Sequence, residues 1–183
     1  GEDSGTLVRK LYRDYGEYKT LEILSNIFKL GIKVLELKGF STSITDTELP
    51  QELLDKIKNL LNETKADVQS LINKYHEKRL EALPSKTLEE TLELMILKLL
   101  NKVRNKVGEL ITENIHDLNP TIVMVKSGAK GNLLNLAMMS ALVGQQALRG
   151  KRIEKGYTNR TLSLFKEGEL TPKAKGFIEV GFK

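Results

Sequence analysis

The residues best suited to chemistry in this chain lie in a short glycine-flanked segment, SGAKGN, at positions 127–132. A glycine-rich turn exposes backbone amides, and the ammonium group of Lys130 adds a point charge that suits a phosphate group. The G-x4-G-K-[ST] spacing of a phosphate-binding loop is absent, however. The local pattern alone therefore favours a plain turn over a phosphate site.

Paired glutamines form a second candidate. Gln145 and Gln146 follow Gly144 at a predicted helix end. Paired glutamines at such a place usually face solvent or cap the backbone. The local pattern therefore favours solvent-facing or capping glutamines over a functional site.

A basic cluster around Gly150 is the third candidate. It consists of Arg149, Lys151, Arg152 and Arg160. By itself such a cluster suits a solvated patch and phosphate contact equally well.

Metal and covalent chemistry find little support in the sequence. The chain has no cysteine, which excludes disulfides and thiolate metal sites. His76 and His116 lie far apart without a nearby ligand cluster, so we expect plain surface or helix-end residues. No carboxylate cluster able to hold Mg²⁺ is apparent. We therefore expect the chain alone to lack polymerase, nuclease and NTPase activity.

Length and composition limit the classes of protein to which the chain can belong. The 183 residues suit one domain or two small ones, and 40% apolar residues suffice for a core of Leu, Ile and Val. The net charge of +5 permits nucleic-acid contact without showing it. No apolar run reaches the roughly 20 residues that a membrane span requires, and no signal peptide is recognisable. The start at Gly1, without a Met, predicts a piece of a longer chain.

The spacing of apolar residues predicts the first helices of the chain. Residues 5–38 read as two helices interrupted at Gly16 and stopped at Gly39. The second helix is predicted to bury one stripe, made of Leu21, Leu24, Ile27, Phe28, Ile32 and Leu35. Residues 39–46, GFSTSITD, read as a loop whose hydroxyls cap helices.

Two long helices, 51–81 and 87–114, are predicted to pack as an antiparallel hairpin that can project from a body. Pro50 opens the first, Pro84 breaks the chain between them, and Thr87 with Glu90 forms a capping box for the second. Their predicted buried stripes are Leu53, Ile57, Leu60, Thr64, Val68, Leu71 and Tyr75, and Leu88, Leu92, Met95, Leu99, Val103, Val107 and Leu110.

After Pro120 the chain becomes glycine-punctuated. Short helices are expected at 121–127 and 133–143, an extended stretch at 158–165, and a last helix from Pro172 to Ile178. The predicted fold class is mainly α: a long antiparallel hairpin plus a compact body of short helices with a little β. The predicted parts are a helical base and loop at 1–49, the hairpin at 50–118, and a pore-like module at 119–183.

Residues 124–150, MVKSGAKGNLLNLAMMSALVGQQALRG, together with KRI and GYTNRTL further on, carry a specific resemblance. They resemble the largest subunit of archaeal DNA-dependent RNA polymerases, which reads approximately SGA[KR]G…N…Q-M-[SA]-A…VGQQ…G-[KE]-R-I. GFSTSITD and NKVRNKVG (101–108) are similar to the family's G-F-S-[TS]-[GS]-I-x-D and N-E-A-R-D-K-A-G. The chain departs from the family at Met138, usually Gln, and at Ser163-Leu164, usually Pro-His.

The resemblance implies the funnel and pore region before the bridge helix, and with it most of the functional expectations. Lys130 would contact the triphosphate of an incoming nucleotide. The channel or bridge-helix interface would comprise Asn132, Asn135, Gln145, Gln146, Arg149 and Arg152. No catalytic residue is implied, and the parent subunit's Mg and Zn sites would lie elsewhere, so no cofactor is expected here.

The implied partners are other RNA polymerase subunits, nucleotides and the RNA 3′ end in the secondary channel, and transcript-cleavage or inhibitory factors docking on the hairpin. No membrane partner is implied, and the location would be cytoplasmic. Two alternatives stay open: a free-standing helical adaptor that binds a protein through its hairpin, and a small nucleotide-binding enzyme using the Lys130 loop.

Overall fold

A computed structural model describes residues 5–115 and 118–183 of the chain. Within them lie five α-helices, namely α1 Thr6–Lys38, α2 Gln51–His76, α3 Leu88–Asn114, α4 Pro120–Ser127 and α5 Leu133–Ser140. Four two-residue strands form two small antiparallel sheets: β1 Gly144–Gln145 with β4 Phe177–Ile178, and β2 Ala147–Leu148 with β3 Lys151–Arg152. The predicted mainly-α class is confirmed.

Helix α1 is kinked at Gly16, where φ is 74° and ψ is −180°. Residues with a Cβ atom are disfavoured at this backbone conformation, so the kink depends on the glycine. The helix stops at Gly39, whose N–H donates to the Leu35 carbonyl at 2.8 Å. The predicted interruption and stop are both confirmed.

The predicted burial of α1 is wrong. Leu21 is 58% exposed and Phe28 is 70% exposed, and the buried residue of this helix is Thr20. Helix α1 makes no extensive contact with any other described element. Its apolar face therefore has no covering layer within the described chain.

Helices α2 and α3 form the predicted hairpin. The Arg79 N–H donates to the Lys74 carbonyl at the end of α2, and the Leu83 N–H donates to Thr91 Oγ1 at the start of α3. These bonds hold the link, residues 77–87, at one end of the pair, so the helices run antiparallel. Helix α2 ends at His76, earlier than expected, and Lys78 beyond it has a left-handed φ of 58°.

The predicted capping box of α3 is confirmed. The Glu90 N–H donates to Thr87 Oγ1 at 3.2 Å, and the Thr87 N–H donates to Glu90 Oε2 at 3.0 Å. Two amide donors at the helix start are thereby satisfied locally. The bond from Thr87 lowers the pKa of the Glu90 carboxyl.

The hairpin core follows a regular spacing of four, four and three residues in both helices. The residues concerned are Leu53, Ile57, Leu61, Thr64, Val68 and Ile72 of α2, and Leu92, Ile96, Leu100, Val103, Val107 and Ile111 of α3. This is an eleven-residue repeat, close to the period of a straight helix. Helices of this period keep one face against a partner over many turns without the left-handed supercoil that heptads impose.

This spacing corrects the predicted stripes. Leu60, Leu71 and Leu99 are only partly buried, and Leu88 and Met95 are 40% and 36% exposed. For Leu60, Leu71, Met95 and Leu99 the next residue in the sequence takes the core position, whereas Leu88 lies in an exposed stretch. The stripe therefore exists but lies about one residue away from the predicted one along parts of each helix.

The described residues after the hairpin, 118–183, form a body that packs along α3. Helix α5 and strands β1 and β3 contact α3, while Lys65 of α2 pairs with Glu179 at 2.8 Å. Arg152 reaches Glu93 in the second turn of α3. The body thus packs against the hairpin along α3, and the link at residues 77–87 is largely exposed.

Several short elements differ from expectation. Helix α4 is confirmed, but α5 ends at Ser140, three residues before the predicted end. The stretch 158–165 forms turns instead of a strand, with one bridge between Tyr157 and Arg160. After Pro172 the chain forms a 3₁₀ helix, Lys173–Lys175, and then enters β4. The three-part division at 49 and 118 stays a prediction.

Candidate functional site

Lys130 lies on the loop that joins α4 to α5. Gly128 ends α4 in the left-handed conformation, and the N–H groups of Gly128, Ala129 and Lys130 turn inward to the carbonyls of Met124 and Val125. The loop amides therefore close the end of α4 and do not form an anion cradle. Any phosphate recognition here would depend on the Lys130 ammonium group.

The ammonium group of Lys130 is available for such a contact. Its side chain is exposed, and within the described residues it has no ion pair. Lys130 borders a groove of about 380 Å³ between α4 and α5. No carboxylate is among the described residues that line this groove. The positive charge of Lys130 can therefore attract an anionic group that enters it.

The same groove brings together three of the residues singled out from the sequence. Asn132 and Asn135 line it beside Lys130. Asn132 caps α5, its side-chain oxygen accepting the Asn135 N–H at 2.7 Å. The floor is apolar and consists of Met124, Val125, Leu136, Met138, Met139 and Phe182. Met138, one of the departures from the family pattern, thus lies in this floor.

The glutamine pair does not lie at a helix end, which corrects that expectation. Gln145 belongs to β1 and is 3% exposed, and Gln146 follows the strand and is exposed. The Gln145 amide donates to the carbonyls of Gln146 and Lys175 at 2.6 and 2.8 Å, while its Oε1 has no hydrogen-bond partner among the described residues. Gln145 therefore ties β1 to the segment before β4, and Gln146 presents its side chain outward.

The side chain of Arg104 in α3 packs against Gly144 of β1. A Cβ built on Gly144, whose φ is 80°, would come 3.0 Å from Cδ of Arg104. Glycine is required there because the arginine stem fills the space that a side chain would need. The Nε of Arg104 is buried and has no hydrogen-bond partner among the described residues.

The basic cluster separates into exposed and buried members. Arg149 and Lys151 are exposed on the β2–β3 hairpin, whose turn residues Arg149 and Gly150 have φ values of 52° and 77°. Arg160 is partly buried and donates to the Ser163 and Phe165 carbonyls. Arg152 differs from all of these, because its side chain is 0% exposed.

Arg152 is the centre of a buried polar network. Its guanidinium donates to both Glu93 oxygens at 2.7 and 2.9 Å and to the Leu170 carbonyl at 3.1 and 3.2 Å. Lys175 donates to Glu93 Oε1 at 2.9 Å. A bidentate pair of this kind holds β3 and the segment before β4 against α3.

The same network sets the charge state of Glu93. Burial would raise the pKa of its carboxyl, but the hydrogen bonds and charges of Arg152 and Lys175 outweigh burial, so the pKa is lowered from the ordinary 4.5. The carboxylate therefore stays ionised at neutral pH.

Sequence reasoning missed Glu93, Lys175 and the packing of Arg104 against Gly144. Nothing in the local pattern distinguished Glu93 from the other acidic residues of α3, since only the tertiary contact with Arg152 sets it apart. The available hint was the position of Glu93 next to Leu92, a residue of the apolar stripe.

Within the described chain, no group of three or more His, Cys, Asp or Glu residues is placed to hold a metal ion. His76 is exposed at the end of α2, with its ring 5.8 Å from that of Tyr75. His116 lies outside the described residues. The described helices include none with both the length and the apolar character of a membrane span.

Comparison with known proteins identifies relatives over the whole chain. The family model for RNA polymerase Rpb1, domain 4, matches residues 72–178. The chain is 39% identical over 183 residues to DNA-directed RNA polymerase subunit Rpo1N of Thermococcus celer and 40% identical over 170 residues to that of Sulfolobus acidocaldarius. These matches cover 100% and 93% of this chain but 20% and 19% of the relatives. The Rpo1N subunit of Halococcus morrhuae is 38% identical, with 52% of its length covered.

Proposed function

Because the chain belongs to the RNA polymerase Rpb1 domain 4 family, we propose that it acts as the funnel-region segment of an archaeal largest subunit. In this role it lines the secondary channel through which nucleotides enter and through which the RNA 3′ end extrudes after backtracking. Its partners are the other polymerase subunits. The chain spans about a fifth of the Thermococcus and Sulfolobus relatives, so this function is exercised within a larger protein.

The observation that carries the proposal is Lys130 at the groove rim. Its exposed ammonium group has no ion-pair partner within the described residues, and two asparagines lie along the same groove. We assign Lys130 to the triphosphate of the incoming nucleotide. Since the loop amides are bonded to α4, this contact is a single charge–charge interaction and not a phosphate cradle.

The remaining candidate residues divide according to exposure. Asn132, Asn135, Gln146 and Arg149 are exposed and are proposed to face the channel or the bridge helix. Gln145 and Arg152 are buried, so we propose that they hold the exposed residues in place. Arg152 does this by fixing β3, which keeps the adjacent hairpin turn with Arg149 against α3.

The link of the α2–α3 hairpin is the proposed docking place for transcript-cleavage or inhibitory factors. Nearly every residue from 77 to 90 is exposed, and Arg152 of the body contacts α3 at Glu93, beyond this stretch. The link carries charges of both signs, including Lys78, Arg79 and Glu81. We expect the chain alone to have no catalytic turnover, since its role is to shape a channel.

The test is Lys130→Ala in an archaeal RNA polymerase whose largest subunit carries this segment. Loss of one charge-assisted contact, about 1.5–3 kcal/mol, should raise the apparent KM for nucleotides about tenfold or more. The melting temperature of the chain should stay nearly constant, because an exposed lysine without a partner contributes less than about 0.5 kcal/mol to folding.

Matched variants make the result specific. Lys130→Arg keeps the charge and should retain most of the nucleotide affinity. Lys58→Ala removes an equivalent exposed charge from α2, away from the groove, and should leave the KM unchanged. An unchanged KM in Lys130→Ala would refute the assignment, whatever happened to stability.

A further inference from the structure

The part of α1 after the kink has an unusually wide apolar surface. At about 100° per residue, the polar side chains of residues 21–37 fall within an arc of roughly 100°. These are Glu22, Ser25, Asn26, Lys29, Lys33 and Glu36. Every other position is apolar or glycine and fills the remaining arc. A helix lying on the surface of a domain needs only about 100° of apolar surface.

This apolar surface is open in the structure. Phe28 and Leu35 on one side are 70% and 53% exposed, and Ile27 and Leu30 on the other side are 51% and 66% exposed. Contiguous exposed apolar surface of this extent marks a place where another chain or segment binds.

The polar strip carries its own ion pairs. Lys33 pairs with Glu36 at 2.8 Å, and Lys19 pairs with Glu22 at the same distance. Since these charges are matched within the helix, the strip is the side that faces solvent or a polar channel. Binding is therefore left to the two apolar sides.

We propose that residues 21–37 of α1 are a wedge that inserts between two layers of the RNA polymerase largest subunit contributed from outside these 183 residues. This rests on the proposed function. The relatives contain about four times as much further polypeptide as this chain matches.

A second copy of the chain fits less well. Two α1 helices packed against each other would cover one apolar side of each helix and leave the opposite side in water. Burial on both sides requires two separate surfaces, and a large subunit folded around the helix supplies them.

The test compares paired substitutions on the two sides: Phe28→Gln with Leu35→Gln, and Ile27→Gln with Leu30→Gln. Lys29→Gln on the polar strip is the matched control. In the 183-residue chain all three proteins should keep the melting temperature, because the substituted side chains are already exposed. In a reconstituted polymerase whose largest subunit carries the segment, each paired variant should lower the yield of assembled enzyme at least tenfold. The control should assemble normally.

The outcomes separate the two proposals. If the unsubstituted segment neither assembles nor supports transcription, the proposed function fails and the wedge fails with it. If that segment works and both paired variants assemble equally well, only the wedge is overturned. It is also overturned if the chain alone sediments as a dimer that one of the pairs disrupts, because the occupant would then be a second copy.

Discussion

The buried pair of Arg152 and Glu93 offers the sharpest test of how the body is held on the hairpin. Arg152→Met keeps most of the side-chain volume but removes three donor groups from a fully buried place. Glu93 would keep only Lys175, and the Leu170 carbonyl would lose its guanidinium donor. Removing one partner of a buried pair costs about 3–5 kcal/mol. Because Glu93 is 12% exposed and retains one cation, we expect the lower end, about 3 kcal/mol.

The assay is equilibrium urea unfolding followed by far-ultraviolet circular dichroism, supported by thermal melting. For a chain of this size, about 3 kcal/mol corresponds to roughly 6–12 °C in Tm. Lys151→Met is the control, since Lys151 is the exposed neighbour in the same strand. Adding Glu93→Gln to Arg152→Met should restore part of the loss, because the unpaired carboxylate disappears. A loss below about 1 kcal/mol, equal to that of the control, would refute the network as a stabilising element.

Two further predictions follow from the same structure. The pKa of Glu93 is lowered on folding, so its contribution to stability is complete above its ordinary pKa of 4.5 and disappears as the pH falls through the lower folded value; acid titration of the unfolding free energy should show this loss, and Glu93→Gln should reduce its slope. Leu100 is 0% exposed, whereas Leu99 is partly buried. Leu100→Ala should therefore cost about 2–5 kcal/mol and Leu99→Ala clearly less by urea unfolding, and equal losses would contradict the core spacing described here.

The helices were predictable because their signals are local. Thr87 and Glu90 form a capping box within one turn, and the glycines at 16 and 39 act on the backbone where they stand. Such features need no knowledge of the rest of the fold. The existence and approximate bounds of α2 and α3 therefore followed from the sequence.

The sequence did not predict which residues occupy the core positions of α2 and α3, and three pairs of positions show why. Leu60–Leu61, Leu71–Ile72 and Leu99–Leu100 are adjacent apolar pairs, so the sequence offers two stripes about 100° apart on the helix. Only the partner helix decides which stripe is buried. In the structure the second member of each pair takes the core position.

The α1 helix shows the converse limitation. Its apolar pattern predicts a buried stripe, yet the described chain provides no layer over it. A periodic apolar stripe indicates that one face of a helix is buried. It does not indicate which segment covers that face. The predicted burial of α1 is wrong because no other described element packs over this face. The wedge proposal assigns the covering layer to other parts of the subunit.

The sequence predicted the candidate site only in part, for a similar reason. Lys130, Asn132 and Asn135 are close in sequence, so a single turn brings them into one groove. The two-residue strands β1 to β4 are too short to show any alternation, and they decide where the glutamines and arginines point. Lys151 and Arg152 illustrate this, because successive side chains on a strand face opposite sides.

The β2–β3 hairpin therefore links the core of the body to its exposed charges. Arg149 and Gly150, both with positive φ, form the turn that suits the twist of a two-residue hairpin loop. The turn fixes the register, in which Arg152 pairs with Ala147 and Lys151 with Leu148. A slip by one residue would turn Arg152 toward solvent and Lys151 toward Glu93, losing the bidentate contact. The anchoring of Arg152 and the outward placement of Arg149 and Lys151 thus have one structural cause, and neither can change without the other.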